Sequence, residues 1–377
     1  MLGVIILKIL VVTYFCNPNK YNGSVQVMNK TLIEGFNSIN DDVDYIALID
    51  DIGVKELIEK QYSNLNFLSF LPLNYQNSSS IADNLIGFKD AFLPNAYKLD
   101  IKKITETYDY IISISSLSAS INVAHYIMRK QKSKKYVQIF TDPIYLQTNH
   151  KSLFRKFLLQ CRKIFSKKMM KTADDIFFLG KPMCLYQSKL FKKLSSRMHY
   201  YNGMFSTMYP VDYCKEHPEN KIGYFGSYDP KIRNINPLVE AMGILKDYTL
   251  QIFGNGKVDA KIPENITVHN KRYNHEQIFD FEINSDVYVC VMNYSAFSIP
   301  GKIFYIAATN IPILVLYDDS NTEMYHYLKE FDRFVFCKNE PLEIAKAIKN
   351  IPCSRNDKAK EMMCPKHVVE QILEASK

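Results

Sequence analysis

Tryptophan is absent from the 377 residues, glycine is scarce at 13, and no uncharged apolar run reaches the ~18 residues a membrane-spanning helix needs. The nearest run, residues 1–16, is interrupted by Lys8 and passes straight into Asn17-Pro18-Asn19. A secretory signal carries its charge ahead of the apolar core and ends on small residues. Here the charge lies inside the run and Tyr14-Phe15 closes it, so the segment reads as a buried first strand and the chain as cytosolic. Eight cysteines stand singly and no Cys-x-x-Cys occurs, which argues against a disulfide framework and against a zinc site. A reducing compartment follows. No Gly-Lys-Ser or Gly-Lys-Thr phosphate loop exists, which removes P-loop nucleotide hydrolysis. Gly254-Asn255-Gly256 is a lone Gly-x-Gly, and the third glycine of a dinucleotide fingerprint would fall at Asp259, so no nicotinamide cofactor is expected. The clustered acids that hold Mg²⁺ are also missing, so no metal is expected.

What is present is an ordinary globular composition, 47% hydrophobic and 23% charged, with one local anomaly. The net charge is +8, and residues 151–171 alone carry eight cations and no acid, so the rest of the chain sums to zero. Projected as a helix, this segment gathers Leu153, Phe154, Phe157, Leu158, Cys161, Ile164 and Phe165 on one arc. Arg155, Lys156, Arg162 and Lys163 fall opposite. A cationic amphipathic helix with phenylalanines has the character of an interfacial helix for an anionic membrane surface. The alternative is a surface helix packed on its own core. Nucleic acid is not expected, because the bases are confined to one helix and no aromatic-studded groove or known motif accompanies them.

Elsewhere, short β-rich runs alternate with helical patterns. Strands are expected at 8–15, 44–49, 66–70, 109–114, 136–141 and 175–179, and a second series at 221–225, 248–253, 266–269, 286–292 and 313–317. This is the pattern of mainly parallel sheets covered on both faces. Two doubly wound, Rossmann-like α/β domains are therefore expected, residues 1–205 and 206–377, facing across a cleft. Such sheets bind ligands at the carboxyl ends of their strands, which directs attention to the residues just after each strand. In the first series these are Asn22, Gly23 and Ser24, a turn before a helix, and Asp142, placed to orient or deprotonate an acceptor hydroxyl or simply to cap its turn. In the second they are Gly226, Ser227, Arg233, the Gly254–Gly256 turn, Tyr273, and Ser298 with Pro300-Gly301-Lys302. A cation in the first turn of a helix expected over 301–309 is unfavourable for the helix dipole unless an anion shares the site. Lys302 and Arg233 are thus candidate phosphate cations.

These residues carry a resemblance. Ile222-Gly223-Tyr224-Phe225-Gly226-Ser227 with Arg233, Leu250 to Gly256, Ile283 to Val287, and Pro300-Gly301-Lys302-Ile303-Phe304 through Pro312-Ile313-Leu314 resemble the donor domain of GT-B-type glycosyltransferases. The likeness is to the retaining family four that builds bacterial surface polysaccharides. Asp109 to Ile112, Phe140 to Pro143, Ala173 to Ile176 and Tyr201 to Phe205 are similar to the acceptor domain. The resemblance implies transfer of a sugar from a nucleotide-sugar to a saccharide acceptor, lipid-linked in surface polysaccharide synthesis, with retained configuration and no metal. The basic helix adds the expectation of an enzyme bound peripherally at the cytoplasmic face of the membrane. The family often carries a glutamate pair around this block; Phe297 and Tyr305 stand at those positions, and Asn310 replaces the usual glycine. Tyr305 then offers a hydroxyl where a carboxylate would grip the ribose. Two rival readings share the fold: a non-catalytic subunit that binds nucleotide-sugar or membrane beside a partner enzyme, and a nucleotide-sugar epimerase.

Overall fold

A computed structural model describes residues 6–17, 24–39, 41–73, 104, 106–115, 118–130, 133–146, 152–271, 273, 275–294, 297–352 and 356–377. The chain divides into two units, Met1–Tyr201 with Val369–Lys377, and Asn202–Val368. The division thus falls after Tyr201 rather than at 205, and the chain end joins the first unit rather than the second. The helix Pro365–Ala375 has an apolar face of Val368, Val369, Ile372 and Leu373, all buried. Such a face encodes burial but not which core receives it.

In the first unit, β1 (Lys8–Tyr14), β2 (Asp42–Ile49), β3 (Asn66–Pro72), β4 (Tyr110–Ser115), β5 (Lys135–Phe140), β6 (Asp175–Leu179) and β7 (Met198–Tyr201) form a parallel sheet in the order β3-β2-β1-β4-β5-β6-β7. Ile9, Leu10, Val11 and Val12 of β1 are all fully buried, as a central strand covered on both faces requires. The strand order reverses between β1 and β4. Right-handed crossovers running opposite ways from that point put helices on both faces.

The second unit repeats the plan with β8 (Lys221–Phe225), β9 (Thr249–Phe253), β10 (Ile266–His269), β11 (Val287–Val291), β12 (Ile313–Tyr317) and β13 (Val335–Lys338), in the order β10-β9-β8-β11-β12-β13. Every pairing is parallel. Its reversal lies between β8 and β11, where Val287 pairs with Ile222 and Val289 with Tyr224. That register brings Gly226-Ser227 and Met292-Asn293 to the same end of the sheet. The two Rossmann-like domains expected from the alternation are therefore present. The strands β7 and β13, absent from the expectation, have four residues each and are only partly buried, too short to show a period.

One helix is much shorter than expected. The 301–309 segment is helical only over Lys302–Tyr305. Its backbone N–H groups at Ile303, Phe304, Ala307 and Thr309 donate three residues back, to Pro300, Gly301, Phe304 and Ile306. The carbonyls beyond are taken by Arg333, a buried guanidinium that donates to Ala307 O (2.8 Å), Thr309 O (3.0 Å) and Ile311 O (2.7 Å). With its acceptors drawn aside and Pro312 following, the α-helix has nothing to propagate on.

Candidate functional site

The reversal point of the second sheet collects most of the donor-side candidates. Arg233 lies on the loop after β8. Its Nε and Nη2 both donate to Asn293 Oδ1 (3.1 and 2.8 Å), and its Nη1 donates to Ser227 O (3.2 Å). Asn293 in turn donates from Nδ2 to Ser298 O at 2.9 Å, and its own carbonyl accepts from Asn321 Nδ2 at 2.7 Å. One asparagine thus ties the β8 loop to the segment leading into Pro300-Gly301-Lys302, and it fixes the arginine fork across the reversal point. Asn293 was not singled out by sequence, although it directly follows a strand expected to end at 292.

Lys302 is not a free cation. Its Nζ lies 3.8 Å from Glu282 Oε1 on the helix His275–Ile283. Glu282 is 1% exposed, whereas the Lys302 side chain keeps 25% of its surface. Tyr209 donates a short hydrogen bond to Glu282, and the Tyr288 hydroxyl lies 3.4 Å from Oε1. Burial pushes the Glu282 carboxyl above its ordinary range, against the opposing pull of Lys302 and the two hydroxyls. Burial likewise pushes the Lys302 ammonium down; Glu282 pulls it back up and Arg233 presses it further down. The sequence signal for Glu282 was present but unread: it sits four residues after the buried Ile278, so a carboxylate falls on the buried side of its helix. With only one turn of helix behind it, Lys302 also lacks the strong helix dipole expected at that position.

The glycine turn proves to be a packing device. Gly254 has φ +147°, and a Cβ on it would meet Gly226 O at 2.0 Å; on Gly256 it would meet Tyr228 O at 1.9 Å. The N–H groups of Gly226, Gly254 and Gly256 donate to Phe253 O (2.8 Å), His269 O (3.4 Å) and Asn270 Oδ1 (3.2 Å). These three amides are therefore already engaged within the fold and are poor candidates for a phosphate cradle. Asn255 is exposed and accepts from Ser227 Oγ at 3.3 Å. Tyr273 meets Phe253 edge-on at 5.3 Å and lies under Lys271 Nζ at 4.6 Å, beside the stacked pair Phe253–His269. Tyr305 is 2% exposed, so its hydroxyl belongs to the core and not to an open ribose site.

In the first unit, Asp142 follows β5 and remains exposed, next to the buried Thr141, whose hydroxyl is without a partner. Although water reaches Asp142, the protein around its carboxyl displaces enough solvent to push the pKa above the usual value. Asn22 and Gly23 lie outside the described residues; Ser24 is the first residue of the helix Ser24–Ser38. His125, on the helix Ser118–Lys130, has its Nδ1 buried without a partner. Cys214 and Cys364 each precede a histidine by three residues, His217 and His367, but among the described residues no three potential metal ligands come together.

The basic segment forms the helix Leu153–Met170, and its orientation differs from either simple reading. Its buried residues are Ser166, Met169 and Met170, with Ser166 Oγ donating to Ile144 O at 3.3 Å. At 3.6 residues per turn these lie about 160–260° around the helix from Leu153, while Phe157 and Ile164 lie within about 40° of it. Leu153, Phe157 and Ile164 are 81%, 63% and 66% exposed, and Phe154 58%. The Leu153–Phe157–Ile164 stripe of the apolar arc therefore points away from the domain, while Leu158, Cys161 and Phe165 on the other side of the arc are half-buried next to the packed face. Arg155 and Lys156 are exposed, Arg162 and Lys163 half-buried. Lys156, Lys163 and Lys167 project beside one edge of the stripe and Lys168 beside the other, whereas Arg155 and Arg162 project toward the packing side. Among the described residues no helix is long and apolar enough to cross a membrane.

No protein-family description matches this sequence, and no curated protein matches it. Solved structures match over nearly the whole chain. One is HepE of Anabaena in complex with UDP and glucose, at TM-score 0.60 and 11% identity, covering 97% of this chain and 98% of that one. The lipopolysaccharide outer core galactosyltransferase WaaB aligns at TM-score 0.53 and 11% identity over 98% and 100%. A putative UDP-N-acetylglucosamine 2-epimerase of Listeria monocytogenes aligns at 0.54 and 12% over 98% and 95%. At such identities the likeness establishes the fold, here the GT-B fold of two Rossmann-like domains, and no more.

Proposed function

We propose that this chain is a glycosyltransferase of the hexosyltransferase class. It would take a sugar from a nucleotide-sugar bound at the reversal point of the second unit and pass it to a saccharide hydroxyl at the carboxyl end of β5 in the first. The observation that carries the reading is the Asn293-braced Arg233 at the mouth of β8 and β11, with Lys302 on the adjoining segment. A planar fork held in advance is suited to a diphosphate, and a second cation strengthens it. In this reading the protein cations take the phosphate charge and no metal is required. Ser227, Ser298 and Gly301 contact the phosphates, and Tyr273 lies beside the base. Asp142, exposed at the end of β5, orients or deprotonates the acceptor. Configuration at the sugar is retained.

We assign the acceptor to the lipid-linked saccharides of bacterial capsule, O-antigen or exopolysaccharide assembly. The enzyme would work in the cytoplasm, peripherally bound to the inner face of the plasma membrane. The outward apolar stripe of the Leu153–Met170 helix and its flanking lysines support this placement. A second reading, a nucleotide-sugar-binding subunit without catalysis, draws on the burial of Tyr305 and the engagement of Lys302 by Glu282.

The test is calorimetric titration of UDP and uridine into the wild type and Lys302→Ala, with Arg233→Ala beside them. Loss of a charge-assisted contact, about 1.5–3 kcal/mol, predicts roughly ten- to a hundred-fold weaker UDP binding, with uridine unaffected. Equal UDP affinity in both variants and the wild type would remove the donor site. A nucleotide-sugar panel with product analysis then separates transfer from epimerisation and from binding alone.

A further inference from the structure

Burying a carboxylate is costly unless something compensates, and Glu282 is the most deeply buried acid near the reversal point. Its surroundings explain how the charge is tolerated. Tyr209 comes from the segment after β7, Tyr288 from β11 and Lys302 from the segment before β12, and all three converge on its two oxygens. They do not by themselves require an acid, because an amide could accept one hydroxyl through its oxygen and donate to the other through its NH2. What an amide lacks is the negative charge that offsets the Lys302 ammonium.

Resting on the donor-site reading above, we propose that Glu282 is a positioning residue for that site: it anchors the Lys302 ammonium beneath the reversal point and keeps it charged. The geometry supports the asymmetry. The carboxylate is closed off, while the lysine keeps a quarter of its side-chain surface in the open. The lysine therefore has an internal counter-ion on one side and part of its side chain in the open on the other. Arg233 and Cys290 face Lys302: Arg233 opposes a second positive charge nearby, and the Cys290 thiol, pushed up to about 11 by burial, stays neutral at ordinary pH. Tyr209 and Tyr288 act on Glu282, and their own hydroxyls are held well above their ordinary range by burial first and by Glu282 next. None of these replaces Glu282 as an anion. Without it, Lys302 keeps its desolvation and its repulsion from Arg233 and loses the one charge that offsets them.

Two consequences separate this role from simple bracing. Removing the carboxylate should make Lys302 lose its proton at lower pH. It should also remove a negative charge from beneath the phosphate site. Diphosphate binding by Glu282→Gln should therefore equal or exceed the wild type in mild acid and fall below it in mild base, so that the two affinity curves cross.

The experiment has two arms on the full chain. In the first, acetylation of Lys302 by acetic anhydride is followed against pH by mass spectrometry in the wild type, Glu282→Gln and Glu282→Asp. The half-reaction pH is expected to fall by about one unit or more in Glu282→Gln, corresponding to a tenfold change in proton affinity, and to recover partly in Glu282→Asp. In the second, UDP and inorganic pyrophosphate are titrated from mild acid to mild base, with uridine as control. UDP affinity of Glu282→Gln is expected to drop about tenfold more than that of the wild type across this range, while uridine binding stays level. An unmoved Lys302 titration overturns the proposal, as do parallel UDP curves, even with a lowered melting temperature, since that is the signature of a brace. A wild type that binds neither UDP nor pyrophosphate overturns the donor-site reading and this proposal with it; a wild type that binds both while Lys302 is unmoved overturns the proposal alone.

Discussion

Replacing Leu153, Phe157 and Ile164 together by serine should release the protein from anionic vesicles and leave its melting temperature almost unchanged. The expectation follows from where the structure puts these side chains. They are 81%, 63% and 66% exposed in the protein, so little packing is lost on truncation. In an interface they would be buried, and full burial of a Leu, Ile or Phe is worth about 1.5–3 kcal/mol. Three such residues bring at most about 4–9 kcal/mol to membrane attachment. Lys156, Lys163, Lys167 and Lys168 flank the stripe, and at ~1 kcal/mol each near an anionic leaflet they bring about 4 more. Changing those four to glutamine should weaken attachment by about that amount.

The two variants should differ in their response to salt. Surface attraction is screened within ~10 Å at 0.1 M and ~3 Å at 1 M, so salt should release the wild type while adding little to the defect of the glutamine variant. The serine variant should remain weak even at low salt. Sedimentation with phosphatidylcholine vesicles, with and without phosphatidylglycerol, reads all of this, and scanning calorimetry reads stability. The reasoning fails if the serine variant melts as a core truncation would, at a cost of about 2–5 kcal/mol per residue, because the stripe is then a packed face. It also fails if neither variant changes vesicle binding, and a change of oligomeric state in their place would point to a second copy as the occupant.

Asp142→Asn should leave the fold and UDP binding intact and lower transfer, because amide and carboxylate are nearly isosteric while the base is lost. The carboxyl is held above its usual range, so as a base it is active above that raised pKa and silenced as pH falls through it; the acid limb of the wild-type rate profile should vanish in the variant, and unchanged transfer rates would leave Asp142 a turn residue. Gly254→Ala should destabilise the second unit by about 1–3 kcal/mol, since both its φ of +147° and the Gly226 carbonyl 2.0 Å from the new Cβ oppose a side chain. Urea denaturation checks it, and an unchanged midpoint would contradict the close approach.

Much of the frame was legible because it rests on patterns that local sequence records. The runs that became β1, β4, β5, β8, β9, β11 and β12 are nearly continuous in β-branched and aromatic residues, and parallel strands covered on both faces need that composition. Their alternation with helical segments implied crossovers, and crossovers implied parallel strands. The partly buried edge strands β7 and β13 carry no comparable signature, since four residues each are too few to show a period. The basic helix was found by composition but its orientation was not. A helical projection shows which residues share a face, whereas the packed face here, Ser166, Met169 and Met170, is the less apolar one. No periodicity argument selects it over Leu153, Phe157 and Ile164.

The site was legible in outline for the same reason and obscured for another. Looking just after each strand leads to Ser227, Arg233 and Ser298, and the rule would also have reached Asn293 had amides been weighed with charges. Lys302 illustrates the limit. Read alone, a lysine opening a helix implies an anion from outside, because the helix end offers it no reason to be there. The structure supplies an anion from inside, Glu282, some 20 positions earlier in the chain on a different helix. Long-range pairing of that kind leaves one local trace, an acid on the buried side of an amphipathic helix. The glycines err in the opposite direction. Gly254 and Gly256 suggest a loop open to phosphate, yet each is required by a backbone carbonyl pressed against its Cα. A glycine admits close approach by any backbone, its own fold's included. What decides between ligand and packing is where the amide proton goes, and here it goes inward. In the proposed site the cations for the phosphate charge are therefore fixed by other side chains, Arg233 from one direction by Asn293 and Lys302 from another by Glu282.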